Sequence, residues 1–84
     1  MIIQAEISLY PVGSSDVTRE IVEFLDTVKT EGVRVEMGRM SSVLAGESDE
    51  VFRALHKAFD HAAMNGRVVL VSKITNAAAP PLTA

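Results

Sequence analysis

The sequence predicts an α+β fold in which four strands and two helices follow one another in the order β-α-β-β-α-β. Three observations indicate this fold. Residues 2–10 alternate between apolar and polar side chains, as half-buried strands do. Apolar residues recur at helical spacing in two later segments. Short alternating or β-branched runs separate and follow those segments, as expected for three more strands.

The two helices are predicted from their apolar periodicity and from the residues at their ends. The first runs from about Asp16 to Glu31, with possible capping oxygens at Ser14, Ser15 and Asp16 and with Gly32 after its last turn. The second begins near Ser48 or Asp49, either of which can cap it, and stops at Asn65-Gly66.

The remaining strands are short and separated by turn residues. Residues 33–38 and 40–46 are predicted to be the second and third strands, joined as a hairpin by the connection Gly38-Arg39. The last strand is predicted over residues 67–74. It is β-branched and apolar on both sides, which is typical of a strand covered on two faces.

This order of elements matches the split βαβ, or ferredoxin-like, plan: a four-stranded antiparallel sheet with both helices on one face. Eighty-four residues allow a single domain. We assign residues 1–75 to that domain and residues 76–84, with their Pro80-Pro81 pair, to a flexible C-terminal tail. The other face of the sheet, which we call the open face, carries no helix.

Residue parity predicts which side chains lie on the open face, because the apolar residues of each strand turn toward the helices. The open face then mixes apolar and polar side chains: Glu6, Ser8, Tyr10, Arg34, Glu36, Ser41, Val43, Ala45, Val69, Val71 and Lys73. A contiguous apolar patch is unusual on a monomer. We therefore expect a second copy of the chain to cover it, with Glu6, Val69, Val71 and Lys73 at the interface.

Composition and charge disfavour several kinds of partner. The chain has 8 Lys or Arg against 11 Asp or Glu, a net charge of −3, which argues against nucleic acid. It has no cysteine, so disulfides and thiolate chemistry are excluded. The N-terminus lacks a basic region before an apolar one, and the apolar runs are too short to span a bilayer. We therefore expect a cytoplasmic protein with no membrane partner.

Neither catalysis nor a metal site is expected from the motifs. His56 and His61 lie five residues apart on the second predicted helix, outside any H-E-x-x-H pattern, and are expected to be exposed. No glycine-rich phosphate loop is present, and no nucleophile–base pair can be assembled from these histidines. The sequence indicates a protein that is not an enzyme and holds no metal or cofactor.

Four segments of the chain together resemble one known family. They are "AEISLYPVG", "VEMGRMSSVLAGE", "SDEVFRALHKAFDHAAMNG" and "RVVLVSKI", and they follow in order over about Ile2 to Ile74. The family is that of the small thiamine-binding proteins, also called MTH1187/YkoF-like. The combination of "SLYPVG" with E-M-G-x-M is the specific part of the resemblance.

The resemblance implies subunits whose sheets pack face to face in homodimers or dimers of dimers. It also implies binding of thiamine, or its hydroxymethyl-aminopyrimidine half, along the sheet and between subunits. With the open-face residues, it gives the predicted ligand site: Ser8, Tyr10, Glu36, Ser41, Ser42 and Val43. Glu36 is expected to accept a hydrogen bond from the exocyclic amine, and the hydroxyls to bond the ring.

Other readings of the same residues stay open. Ala45 stands where relatives have an acid, and "KITNA" replaces their charged last-strand end, so the chain could be an oligomeric structural or regulatory module without a small ligand. Glu36 could equally form a cross-strand ion pair with Lys73 or Arg34. Tyr10 could serve as a dimer contact rather than a ligand contact.

Overall fold

A computed structural model describes residues 1–77 of the 84-residue chain. Its elements follow the predicted order: β1 (Ile2–Pro11), α1 (Val17–Thr30), β2 (Arg34–Met37), β3 (Ser42–Glu47), α2 (Ser48–Ala63) and β4 (Val68–Thr75). The strands form one antiparallel sheet in the order β2-β3-β1-β4. The α+β ferredoxin-like fold is therefore confirmed.

The core lies between the helices and one face of the sheet, as parity predicts. Every second residue of β1, from Ile3 to Leu9, is buried, and Leu44 of β3 is fully enclosed beside them. Phe24, Leu25 and Val28 of α1, Val33 before β2 and five residues of α2 complete the cluster, the last being Val51, Ala54, Leu55, Ala58 and Ala62. Because each large side chain buried here contributes about 1.5–3 kcal/mol, this cluster decides which side of each strand faces inward.

The ends of the helices follow local chemistry, with one difference from expectation. The Asp16 carboxylate accepts a hydrogen bond from the Arg19 backbone N–H at 3.1 Å and caps α1, so it is the one of the three predicted candidates that serves as the cap. The cap of α2 is instead Glu47, whose side chain makes no capping hydrogen bond. The Ser48 N–H donates to the carbonyl of Met1, the residue before β1, at 2.9 Å, so the main chain satisfies an end group that a side-chain cap would otherwise satisfy.

The expectation that β4 is covered on both faces is wrong for the single chain. The strand order places β4 at an edge of the sheet. On the helix side only Val68 and Leu70 pack against the core. On the open face Val69 and Val71 remain 50% and 48% exposed.

The hairpin between β2 and β3 is wider than predicted. The sequence places the start of the third strand at residue 40, whereas β3 begins at Ser42. Residues 38–41 form the connection, closed by a hydrogen bond from the Gly38 N–H to the Ser41 carbonyl at 2.9 Å. Glycine is required there because a Cβ at position 38 would stand 2.6 Å from the Ser41 carbonyl oxygen.

The predicted C-terminal tail begins where β4 ends. Asn76 and Ala77 follow the strand, and the Ala77 N–H donates to the Thr75 hydroxyl at 2.9 Å. Residues 78–84, the remainder of that tail, lie outside the described residues. Neither helix within residues 1–77 is long and apolar enough to cross a membrane.

Replacing Gly38 by alanine should destabilise the fold, because the new Cβ forces the hairpin backbone apart. We expect a loss of about 1–3 kcal/mol in the free energy of unfolding, measured by urea denaturation. Gly46→Ala is the matched control, since a Cβ there meets only the Val51 side chain at 3.5 Å. Equal losses in the two variants would contradict the close approach at Gly38.

Candidate functional site

The site begins with a mismatch in strand length. β1 pairs with β4 over its length to Pro11↔Val68, but its pairing with β3 ends at Ile7↔Ser42. Beyond Ile7 the chain of β3 has already turned into the hairpin connection. The last part of β1, residues 8–11, therefore has a strand neighbour on one side only.

A cavity of about 460 Å³ lies beside the end of β1, where β3 does not extend. Its walls are mostly apolar. They come from the end of β1, the hairpin connection with the strand residues beside it, and the first half of α1. The lining includes Ser8, Leu9, Tyr10, Val17, Val22, Met37, Arg39, Met40, Ser41 and Ser42. A cleft of this size and character is typical of small-molecule sites.

Four of the six predicted ligand residues line this cavity: Ser8, Tyr10, Ser41 and Ser42. Ser42 is 7% exposed and lies on the helix side with Leu44, whereas Ser8 and Ser41 are half-buried. Ser41 donates its hydroxyl to the Glu6 carboxylate at 3.0 Å. The hydroxyls of Ser8, Tyr10 and Ser42 make no hydrogen bond to any group within residues 1–77.

The structure does not bring Glu36 and Val43 to the cavity. They belong to a row across the open face, which the register places in the order Glu36, Val43, Glu6, Lys73. Val43, Glu6 and Lys73 border another, smaller hollow of about 250 Å³. Their part in ligand binding stays a prediction.

Glu6, predicted as an interface residue, is the central acid of the open face. Its carboxylate accepts from Ser41 and lies 3.9 Å from the Lys73 ammonium. The predicted alternative of a Glu36–Lys73 ion pair is wrong, because β2 and β4 form opposite edges of the sheet, three strand spacings or about 14 Å apart. Within residues 1–77 Glu36 forms no ion pair with Arg34 either.

Several cavity residues were missed because they lie at the end of a strand, in a turn or on a helix. Met37 and Met40 flank the hairpin connection, and Val17 and Val22 project from the exposed side of α1. A methionine in a turn and valines outside the buried stripe of a helix are signals that could have found them.

The charges near the cavity are few. Arg39 is the single charged residue among those that line it. His56 and His61 are exposed on α2, as predicted, and His56 contacts Asp60 at 3.0 Å. In the described part of the chain no three His, Asp or Glu side chains are grouped as metal ligands.

Substitution of the hydroxyls that make no internal hydrogen bond tests whether these groups stabilise the fold. Ser8→Ala, Tyr10→Phe and Ser42→Ala should each change the free energy of unfolding by less than about 0.5 kcal/mol, because no internal hydrogen bond is lost. Ser41→Ala, the matched comparison, should lose about 0.5–1.5 kcal/mol with its bond to Glu6. Urea denaturation measures both. A loss above 1 kcal/mol for Ser42→Ala would show that its hydroxyl is structural.

Solved structures with the same fold come from bacteria and archaea. The hypothetical protein MJ1052 of Methanocaldococcus jannascii is 29% identical, with a TM-score of 0.80 over 88% of this chain and 78% of that one. Protein SP2199 of Streptococcus pneumoniae is 24% identical, with a TM-score of 0.81 over 99% and 92% of the two chains.

A third similar structure carries a functional name. TM0486 of Thermotoga maritima, named for thiamine biosynthesis or salvage, is 18% identical, with a TM-score of 0.77 over 88% of this chain and 82% of that one. No curated protein matches the sequence.

The family comparison agrees with the resemblance found in the sequence motifs. The model of the YkoF-related family matches residues 2–81, which includes every strand and helix described above. The chain therefore belongs to the YkoF-related family.

Proposed function

We propose that this protein binds thiamine, or its hydroxymethyl-aminopyrimidine half, without catalysing a reaction on it. The observation that carries the proposal is the cavity at the end of β1, where three hydroxyls without internal partners meet apolar walls. Membership of the YkoF-related family and the similarity to a structure named for thiamine biosynthesis or salvage support it.

The cavity suits a substituted pyrimidine ring. Methionine and valine side chains can pack on the ring faces, and Tyr10 contributes an aromatic ring to the lining. Ser8 and Ser42 offer hydroxyls that can donate to ring nitrogens or accept from an amine. Buried polar groups of a ligand are costly unless they are bonded, so these hydroxyls would select a heterocycle over a plain apolar ring.

The cationic thiazolium half of thiamine would lie toward the open face. Ser41 lines the cavity and donates a hydrogen bond to the Glu6 carboxylate. This residue therefore connects the cavity to the central acid of the open face. A carboxylate near a delocalised cation stabilises it, most strongly where water is excluded. Val43, next to Glu6 in the same row, provides an apolar side chain on which the thiazolium ring can pack.

Water would be excluded if a second copy covers the open face, and we include this self-association in the proposal. Tyr10, Val69 and Val71 leave an exposed apolar surface there. The cost of burying Glu6 would be offset by Ser41 and Lys73, which already contact it. Face-to-face packing of two sheets about 10 Å apart would also enclose the cavity opening.

The alternative of a structural module without a ligand draws on Ala45, but the register weakens it. Ala45 lies in a row with Arg34, Gln4 and Thr75, on the side of the Glu6 row away from the cavity. The loss of an acid there leaves the cavity walls unchanged.

Filling the cavity should weaken binding of thiamine. Ser42→Val adds bulk and removes a hydroxyl inside the cavity, and we expect the thiamine affinity measured by titration calorimetry to fall at least about tenfold. Ser72→Val on β4 is the control, since Ser72 does not line the cavity. For wild type, thiamine at 100 times its Kd should add about 2.7 kcal/mol of stability. No binding by wild type would leave the structural module as the function.

A charge on the open face should separate the subunits. We expect wild type to sediment as a dimer or larger, and Val71→Asp to sediment as a monomer. Ile74→Asp should keep the wild-type mass, because Ile74 lies on the opposite side of the same strand with similar exposure, 41% against 48%. Analytical ultracentrifugation decides the point. A monomeric wild type, or dissociation by Ile74→Asp alone, would contradict the proposed interface.

A further inference from the structure

Two backbone hydrogen bonds just outside the paired strands show which neighbouring strand each residue of β1 bonds to. The Val12 N–H donates to the Arg67 carbonyl at 2.8 Å, in register with the β1–β4 pairs. Antiparallel strands alternate bonded and non-bonded pairs, so even-numbered residues of β1 bond β4 and odd-numbered ones face β3. The Gly38–Ser41 bond leads to the same result. It shows that the odd-numbered residues of β3 bond β2, so the even-numbered residues of β3 bond the odd-numbered residues of β1.

Leu9 is the first odd-numbered residue of β1 beyond the end of its pairing with β3. Continuing the register, its partner would be Met40, which lies in the hairpin connection and makes no backbone hydrogen bond to Leu9. Within residues 1–77 the Leu9 N–H and C=O have no partner, and Leu9 lines the cavity. The next odd-numbered residue, Pro11, has no N–H to offer.

We propose that the backbone N–H and C=O of Leu9 bind the edge of an aminopyrimidine in the cavity, an assignment that rests on the proposed function. A strand residue presents its donor and acceptor on the same side, a few ångströms apart. An aminopyrimidine presents an exocyclic amine, a donor, next to a ring nitrogen, an acceptor. The amine would donate to the Leu9 carbonyl while the ring nitrogen accepts from the Leu9 N–H.

The surroundings of Leu9 favour this pairing over a carboxylate contact. No Asp or Glu is among the residues that line the cavity, and Glu36 lies in the row of the open face outside it. The apolar walls lower the local dielectric, which strengthens a hydrogen bond and raises the cost of leaving Leu9 unbonded. The specificity for an amine beside a ring nitrogen thus comes from the backbone, not from an acidic side chain.

Amide hydrogen exchange of the ¹⁵N-labelled full chain tests the assignment, with thiamine as the probe. In the free protein the Leu9 amide should exchange faster than those of Ser8 and Tyr10, whose even-numbered positions place their N–H bonds on β4. With thiamine at 100 times its Kd, exchange at Leu9 should slow about 100-fold, since only the unliganded fraction exchanges freely.

Two further titrations separate this inference from the proposed function. Glu36→Gln should bind thiamine within about twofold of wild type, and a thiamine analogue without the 4-amino group should bind about tenfold more weakly. If thiamine binds but Leu9 stays unprotected, or if Glu36→Gln alone loses binding, the Leu9 assignment is overturned and the proposed function stands. If thiamine does not bind, both are overturned.

Discussion

The site depends on one geometric constraint: β1 is ten residues long and β3 is six. The shorter strand pairs with β1 only as far as Ile7, while β4 continues beside β1 to Pro11. The chain between Gly38 and Ser41 must turn before it can fill the remaining edge. The sheet is therefore incomplete at one point, and the helix α1 and the hairpin connection enclose that point instead of a strand.

This incomplete edge explains why the same segment serves both the core and the site. The Leu9 side chain is buried under the helices and holds the end of β1 in place. Its backbone faces sideways into the cavity, and the neighbouring Ser8 and Tyr10 project on the open face. Because the packing of the side chain fixes the backbone, the polar groups of the cavity are already in position without a ligand, and for the proposed ligand this would reduce the entropy lost on binding.

The alternation of β1 and the helical periods of α1 and α2 were sufficient to predict the fold and the open face. They depend on local pattern, and the apolar residues that decide it are buried as expected, from Ile3 to Leu9. The cavity could not be predicted this way, because Met40 and Ser41 fit a strand pattern yet lie in a turn. The predicted Glu36–Lys73 ion pair was wrong, and the unpaired backbone of Leu9 was not predicted, for a related reason. Both depend on strand order and register, which are properties of the whole sheet.

If a pyrimidine ring occupies the space left by β3, the four methionines of the chain should report its position. Met37 and Met40 line the cavity, whereas Met1 and Met64 do not. In a spectrum of the protein with ¹³C-labelled methionine methyl groups, thiamine should shift the signals of Met37 and Met40 and leave those of Met1 and Met64 in place. Thiamine binding that moves only Met1 or Met64 would place the ligand elsewhere and contradict the account.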